Sequence, residues 1–139
     1  MMMPKPKKYQ GGSEIVEVAL VLPLLFFLIF GIVNGGWAIF SYNTLVAATR
    51  EGVRYGSVLG SDSGTQPDDA KILIRDRVKQ QAVGVPLANN QVEVSYDPID
   101  NNDPGSKVIV KATFSFTPIA PFFGPAIPLA SRASMIIFY

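Results

Sequence analysis

A long apolar run dominates the start of the chain. Every residue from Val18 to Val33 is apolar or is glycine or proline, and the run extends in looser form from Ile15 to Phe40. At a rise of ~1.5 Å per residue, an α-helix over this wider stretch would be about 39 Å long, which exceeds the ~30 Å hydrocarbon core of a bilayer. The pattern therefore predicts a membrane-spanning helix.

Helical periodicity continues beyond the apolar run. Apolar or small residues recur at spacings of three and four along one face, namely Leu45, Ala48, Gly52, Tyr55 and Leu59. On the polar side, Glu51 is placed to pair with Arg54 at i+3. No proline interrupts this segment. We therefore predict one long helix, whose first half crosses a membrane and whose second half packs on a folded domain.

The rest of the chain predicts a small α+β domain. After a linker at 60–69, an apolar stripe predicts a second helix over 68–83, with Thr65 and Pro67 marking its start. Alternating apolar and polar residues then predict strands at 91–96, 107–117 and 129–139. The expected fold is α+β, with a long N-terminal helix, a second helix and a small antiparallel three-stranded sheet.

Composition narrows the chemistry available to the chain. It contains no cysteine and no histidine, which excludes disulfides, thiolate metal sites and catalysis that uses a histidine base. After Phe40 we count nine basic and nine acidic residues, so this part has no excess positive charge for nucleic acid. Paired-carboxylate catalysis would require two acids held together on a predicted rigid element, and we identify no such site in the sequence. We expect no enzyme, no cofactor, no metal centre and no nucleic-acid partner.

The basic residues before the apolar run predict the topology. Lys5, Lys7 and Lys8 precede the run, and the positive-inside rule places such a flank in the cytoplasm. The expected division is a cytoplasmic leader at 1–12, a transmembrane helix at 13–40 and an exported domain at 41–139. A plain anchor and a secretory signal cleaved near Ala38 are alternatives. The run is longer than the usual ~7–15 residues of a signal peptide, and an acid lies at its start.

A third interpretation of the N-terminus uses that acid. The stretch GGSEIVEVALVLPLL resembles the class III signal of type IV pilins, which a prepilin peptidase cleaves after a glycine on the cytoplasmic side. The resemblance implies cleavage between Gly12 and Ser13. Glu17 then becomes the fifth mature residue, where pilins carry a glutamate that pairs with an α-amino group. Val18 departs from the aromatic residue that is usual in Flp-type pilins.

A second stretch makes the resemblance more specific. Residues 47–56 read AATREGVRYG and resemble the AAREGARYA stretch of TadE-like proteins, small pseudopilins of the bacterial tight-adherence (Tad/Flp) type IVb pilus. The resemblance implies a pilin-like fold and a minor pilin or pseudopilin that helps to assemble a Tad pilus for adhesion or secretion. It implies as partners the membrane, other pilin and pseudopilin subunits, prepilin peptidase and the Tad inner-membrane assembly platform.

The same resemblance implies a single-pass protein of the inner membrane. Its C-terminal domain would be periplasmic or extracellular, and the protein would either stay in the membrane or enter an extracellular pilus. Pro23 removes one helix hydrogen bond and is expected to kink or locally open the helix. Gly31 and Gly35 form a G-x-x-x-G pair that permits close helix packing. Asn34 departs from the acid that the family often has.

A membrane-anchored binding module is the alternative function. Two exported loops would carry recognition in that case. Residues 97–105 hold three acids and two asparagines, whose oxygens suit calcium, although the EF-hand template fails there. Residues 118–128 hold four prolines and two phenylalanines, and they predict either an apolar docking surface or a rigid crossover that caps the core.

Overall fold

The structure, a computed structural model, describes residues 11–119 and 124–138 of the chain. It contains helix α1 (Gly11–Gly56), helix α2 (Pro67–Gln81) and strands β1 (Val92–Asp97), β2 (Lys107–Phe116) and β3 (Ile127–Ile136). Residues 1–10 of the predicted leader, residues 120–123 of the proline-rich loop and Tyr139 lie outside the described residues. The predicted α+β fold is confirmed.

Helix α1 runs without interruption through both predicted halves. Pro23 lies inside it, and the helix is continuous there, so the predicted local opening is wrong. Proline's fixed φ suits a helix, and only one backbone hydrogen bond is lost at the ring nitrogen. The helix ends at Gly56, three residues before the end of the predicted periodic face at Leu59. One rigid rod therefore joins the apolar run to the domain.

The sheet has the antiparallel order β1-β2-β3. Its register aligns Val94 with Val110 and Val110 with Ala133, so the three side chains share one face. The alternation predicted for the first two strands is confirmed, because their inward residues are buried: Val92, Val94, Tyr96, Val108, Val110, Ala112 and Phe116. β3 begins at Ile127 and ends at Ile136, earlier at both ends than predicted.

Both helices cover the inner face of the sheet. α1 packs on β2 and β3, and α2 packs on α1 and β1. The predicted apolar stripe of α2 is buried in full, at Ala70, Ile74, Val78 and Ala82. Its start differs from the prediction, since Pro67 is the first helical residue and Gln66, not Thr65, is the N-cap. Pro at this position needs no N–H partner and already has a helical φ.

The α1 helix gives the domain two distinct ends. Near the apolar run, Ile119 contacts Asn34 and the Gly84 turn lies against Phe40. We call this the span-proximal end, and it is built from residues 34–40, 82–88 and 117–119. At the opposite or distal end, Ser61 bonds to Asn102 and Phe138 bonds to Ser57 through the backbone. α2 therefore runs antiparallel to α1, and residues 117–119, which follow β2, lie towards the apolar run.

Candidate functional site along the N-terminal helix

The first half of α1 projects free of the domain. From Gly12 to Val33 every residue is exposed, except for Gly31, which is partly covered. Large apolar side chains make up most of this surface, and α1 is long and apolar enough to cross a membrane. An apolar rod of this size in water would carry a large hydrophobic free-energy cost, so a membrane or other helices must cover it.

The residues predicted for processing and assembly lie near the start of this rod. Gly12, Ser13 and Glu17 are helical and exposed. Ser13 and Glu17 are four residues apart, so they occupy one helix face. Glu17 borders a shallow groove of about 240 Å³ whose other walls are apolar: Val18, Val21, Leu22 and Leu25. A carboxylate is therefore placed on an otherwise apolar surface, one turn from the predicted new N-terminus.

The predicted helix-packing residues lie farther along the same rod. Pro23 lines an open apolar groove of about 570 Å³ together with three phenylalanines, Phe26, Phe27 and Phe30. A Cβ added to Gly35 would meet no atom within 4 Å, so this glycine leaves space beside the helix. Glu17 and Gly35 are about 27 Å apart along the axis. The structure therefore spreads the predicted residues along one surface and does not gather them into a single site.

Asn34 ends the free part of the rod. Its side chain is polar and buried, and it lies in a run without charged residues. Its amide nitrogen donates to the Phe30 carbonyl at 2.8 Å, and its oxygen accepts from the Ile119 backbone N–H at 2.7 Å. The departure from the family pattern noted at this position thus has a structural use, because a neutral amide satisfies both backbone groups. Sequence analysis identified the position but not its contact.

A carboxylate clamp joins the packed half of α1 to α2. Glu51 accepts from Arg54 on its own helix at 2.7 Å, as predicted, and from Arg77 on α2 at 2.9 Å. Hydrogen bonds from Arg54 and then Arg77 lower the pKa of Glu51 from 4.5 to about 2. Sequence analysis did not identify the second partner, because Arg77 is 26 residues from Glu51 and no local pattern connects them. The ion pair with Arg77 adds a polar contact between the two helices beside their buried apolar contact.

Replacing Glu51 with glutamine is expected to make the free energy of unfolding depend less on pH in the acid range. A carboxyl group whose folded pKa lies below its unfolded value contributes stability above about pH 4.5, and loses it as the pH falls towards 2. We expect a difference of about 1 kcal/mol between wild type and variant at pH 6, because Arg54 is exposed and solvent screens the pair. Thermal unfolding in detergent micelles, followed by circular dichroism from pH 6 to 2.5, measures it.

The matched control for this prediction is Glu93→Gln. Glu93 approaches Lys111 only at 3.8 Å, and both side chains are mostly exposed. The control should follow the wild-type profile. Equal profiles for Glu51→Gln and Glu93→Gln would contradict a stabilising role for the clamp.

The acidic loop between β1 and β2 is occupied by a cation from the chain itself. The Lys71 ammonium lies 2.7 Å from an Asp100 oxygen and 3.1 Å from an Asp68 oxygen. Hydrogen bonds to Asp100 and then Asp68 raise the pKa of Lys71. Within residues 11–119 and 124–138, no three acids are grouped where they could hold a metal ion.

The remaining polar groups of this loop connect it to the end of α1. Asn102 is buried and donates to the carbonyls of Leu59 at 3.2 Å and Thr65 at 2.9 Å. Asp103 accepts from the Ser61 hydroxyl at 2.7 Å. These oxygens and amides therefore hold the distal end together. This arrangement explains the asparagine-rich composition without an external ligand.

These features together are those of a small domain carried on a membrane-type helix. Among residues 11–119 and 124–138, one helix is of the membrane type; it is exposed along its first half and continues without a break into the core of a small α+β domain. Residues 12–54 match the model of a family described as TadE-like protein. The match ends two residues before α1 does and leaves 55–139 outside it. No curated protein and no solved structure matches the chain.

The family match bears directly on the resemblance. It covers both stretches on which the resemblance was based, the GGSEIVEVALVLPLL opening and most of AATREGVRYG. The TadE-like resemblance is therefore confirmed over the N-terminal helix. The matched residues lie within the helix that is long and apolar enough to cross a membrane.

Proposed function

We propose that the protein is a minor pilin or pseudopilin that takes part in assembling a Tad pilus. One observation supports the proposal most strongly. The family match coincides with a helix whose N-terminal half is exposed and whose C-terminal half packs in the core of the domain. Such a helix can pack beside other pilin helices while the domain stays outside the membrane. The function is one of assembly, and no catalysis is assigned to the chain.

The arrangement at the N-terminus supports processing as part of this function. Cleavage after Gly12 would create an α-amino group on Ser13, one helical turn before Glu17. Side chains on a helix lean towards its N-terminus, so the Glu17 carboxylate is directed at the turn that holds Ser13. A carboxylate in an apolar setting is costly without a cationic partner. The new amine supplies that partner, from the same chain or from a neighbouring subunit.

The partners and the location follow from the same proposal. Prepilin peptidase would remove residues 1–12, and other pilin and pseudopilin subunits would pack against 13–33. The Tad inner-membrane platform would assemble them. The N-terminus would face the cytoplasm and the domain the periplasm or the exterior. Gly31 and Gly35 would let neighbouring helices approach closely, since neither has a side chain, and Pro23 would contribute to helix packing through the apolar groove that it lines with Phe26.

The mature protein is expected to begin at Ser13. Intact-mass analysis and N-terminal sequencing of protein from cells with the Tad system should show the loss of residues 1–12. Gly12→Leu should abolish the cut, because the peptidase requires a small residue at that position, whereas Gly11→Ala should leave it intact. A chain that keeps Met1, or one that begins after Ala38, would contradict the proposal in favour of a plain anchor or a secreted domain.

A further inference from the structure

The three segments that build the span-proximal end, 34–40, 82–88 and 117–119, contain no charged residue. The nearest charge to the 82–88 turn is Lys79, which borders it and pairs with Asp76 at 2.8 Å and with Asn89 at 2.8 Å. The chain carries no Asp, Glu, Lys or Arg in three stretches, 18–49, 80–92 and 112–131. These stretches are far apart in sequence, yet the fold brings described parts of each together where α1 leaves the apolar run, with Ile119 beside Asn34 and Gly84 beside Phe40. A solvated surface of this extent would normally carry charges, because charged side chains are mostly exposed in water-soluble proteins.

The distal end has the opposite character. Its 97–106 loop contains three aspartates, and two more begin α2 beside it. The acidic Asp62 lies in the turn that follows α1. Charge is therefore segregated along the α1 axis, with the uncharged end nearest the apolar span. This segregation indicates that the two ends of the domain contact different environments, because a domain that was apolar throughout would lack charge at both ends.

Large apolar side chains are also exposed at the span-proximal end. Val83 is 72% exposed and Ile119 is 63% exposed. They flank an aromatic pair on the helix, where the rings of Trp37 and Phe40 stack with centroids 5.3 Å apart. Trp is enriched where a membrane protein crosses the lipid–water interface. The domain thus presents apolar groups beside the helix at the level where an interface residue is already placed.

The length of the free helix sets this level. The 22 residues from Gly12 to Val33 span about 33 Å, close to the ~30 Å hydrocarbon thickness of a bilayer. Asn34 follows at once, and its contact holds Ile119 beside the helix. A Cβ added to Gly84 would lie 3.3 Å from the Phe40 ring and 4.0 Å from the Trp37 ring, so the Gly84 turn lies beside both aromatic rings. Both loops therefore come to the bilayer surface if the apolar run fills the bilayer.

We infer that the span-proximal end of the domain is a second membrane-contact site, seated in the interfacial region of the bilayer through Val83 and Ile119. The occupant of this surface is lipid. Its apolar groups would enter the headgroup boundary, and none of the segments 34–40, 82–88 and 117–119 carries a charge that would have to be desolvated there. Lys79, at the border of the 82–88 turn, has a long side chain that can keep its charge at the headgroup level. The site fixes the domain upright on the membrane, and it rests on the proposed anchoring by the apolar helix.

The absence of cysteine in the chain permits a direct test with single-cysteine variants. Val83→Cys and Ile119→Cys are compared with Ile99→Cys, an exposed apolar position at the distal end that is 87% exposed. Each full-length variant carries a bimane label in vesicles of phosphatidylcholine and phosphatidylglycerol. Quenching by nitroxide lipids and by aqueous iodide is measured. Leu25→Cys, in the free part of α1, reports insertion of the helix itself.

The inference expects lipid nitroxide to quench labels at 83 and 119 several-fold more than the label at 99, with the opposite order for iodide. Brominated lipids should also quench the fluorescence of Trp37, the only tryptophan of the chain. Iodide quenching at 83 and 119 equal to that at 99 would overturn the inference. Protection from both quenchers, or disulfides between two copies at 83 or 119, would assign the surface to protein and overturn it too.

The label at Leu25 separates this inference from the anchoring on which it rests. Strong lipid quenching at 25, without it at 83 and 119, leaves the anchor in place and rejects the second site alone. Weak lipid quenching at 25 rejects the anchoring and the second site together. The substitutions fall on exposed positions outside the core, so each variant is expected to keep the fold.

Discussion

Replacing Gly52 with alanine is expected to lower the free energy of unfolding of the domain by about 2 kcal/mol, since overpacking a filled core costs ~1–3 kcal/mol. Gly52 lies in α1 where α2 crosses it, and an added Cβ would clash with Cγ2 of Val78. Val110 Cγ atoms of the sheet lie 3.6 Å from the same point. A β-branched side chain in a helix has one strongly preferred rotamer, so Val78 cannot turn away.

The clash is stronger than the usual benefit of alanine in a helix. Alanine is preferred to glycine in a helix interior by ~1 kcal/mol, which reduces the expected loss but does not reverse it. Urea unfolding of the full chain in detergent micelles, followed by circular dichroism, measures the difference. Gly36→Ala is the matched control, because a Cβ at Gly36 would meet nothing within 4 Å. It should be neutral or slightly stabilising.

A double variant tests the cause of this loss. Val78→Ala alone removes a fully buried side chain and should destabilise the domain by about 2 kcal/mol through the cavity it leaves. Gly52→Ala then adds a methyl group next to that cavity. We expect the double variant to lose at least ~1 kcal/mol less than the sum of the single variants. Strict additivity would contradict direct contact between the two positions.

Replacing Glu17 with glutamine is expected to reduce the amount of the protein found in assembled pili by about tenfold or more. A tenfold change in an association constant corresponds to ~1.4 kcal/mol, and loss of one charge-assisted pair between groups shielded from water exceeds that value. Glu17 lies exposed on an apolar surface of α1, where an uncompensated charge is unfavourable. The measurement compares pilus and membrane fractions from cells that carry the variant.

Glu14→Gln is the matched control for this prediction. Glu14 is also an exposed acid in the first turns of α1, but it precedes the apolar run. Its removal should change pilus incorporation by less than about twofold, because an exposed, solvated charge contributes little. Intact mass should show the start at Ser13 in both variants. Wild-type incorporation of Glu17→Gln would refute the pairing with an amine, and equal losses in both variants would assign the effect to charge in general.

The expected effects at Gly52 and Glu17 concern the two halves of one helix. Gly52 belongs to the half that packs on the sheet, and Glu17 to the half that other molecules must cover. Glu17→Gln, in the N-terminal half, should leave the free energy of unfolding of the domain unchanged. Gly52→Ala, in the C-terminal half, should reduce the amount of folded protein. Measuring both quantities for each variant therefore distinguishes loss of assembly from loss of fold.

The amino-acid sequence alone determined the elements and their buried faces. Period-two alternation identified the inward residues of β1 and β2, and the apolar stripe of α2 was identified in full. These patterns are local, because burial on one face of a helix or strand imposes a repeat on neighbouring residues. The resemblance to the TadE-like family also depended on short contiguous stretches. Element ends shifted by up to three residues, because capping depends on single backbone groups.

Only the tertiary structure decided which distant residues meet. The contact of Asn34 with Ile119, the second arginine on Glu51 and the lysine among the aspartates join residues that are 85, 26 and 29 positions apart, respectively. No local repeat encodes such pairs, since each depends on how whole elements pack. The same packing brings described parts of three uncharged stretches to one end of the domain. In the sequence, the segregation of charge is visible only as three stretches without charged residues. Only the fold shows that parts of these stretches form one uncharged surface.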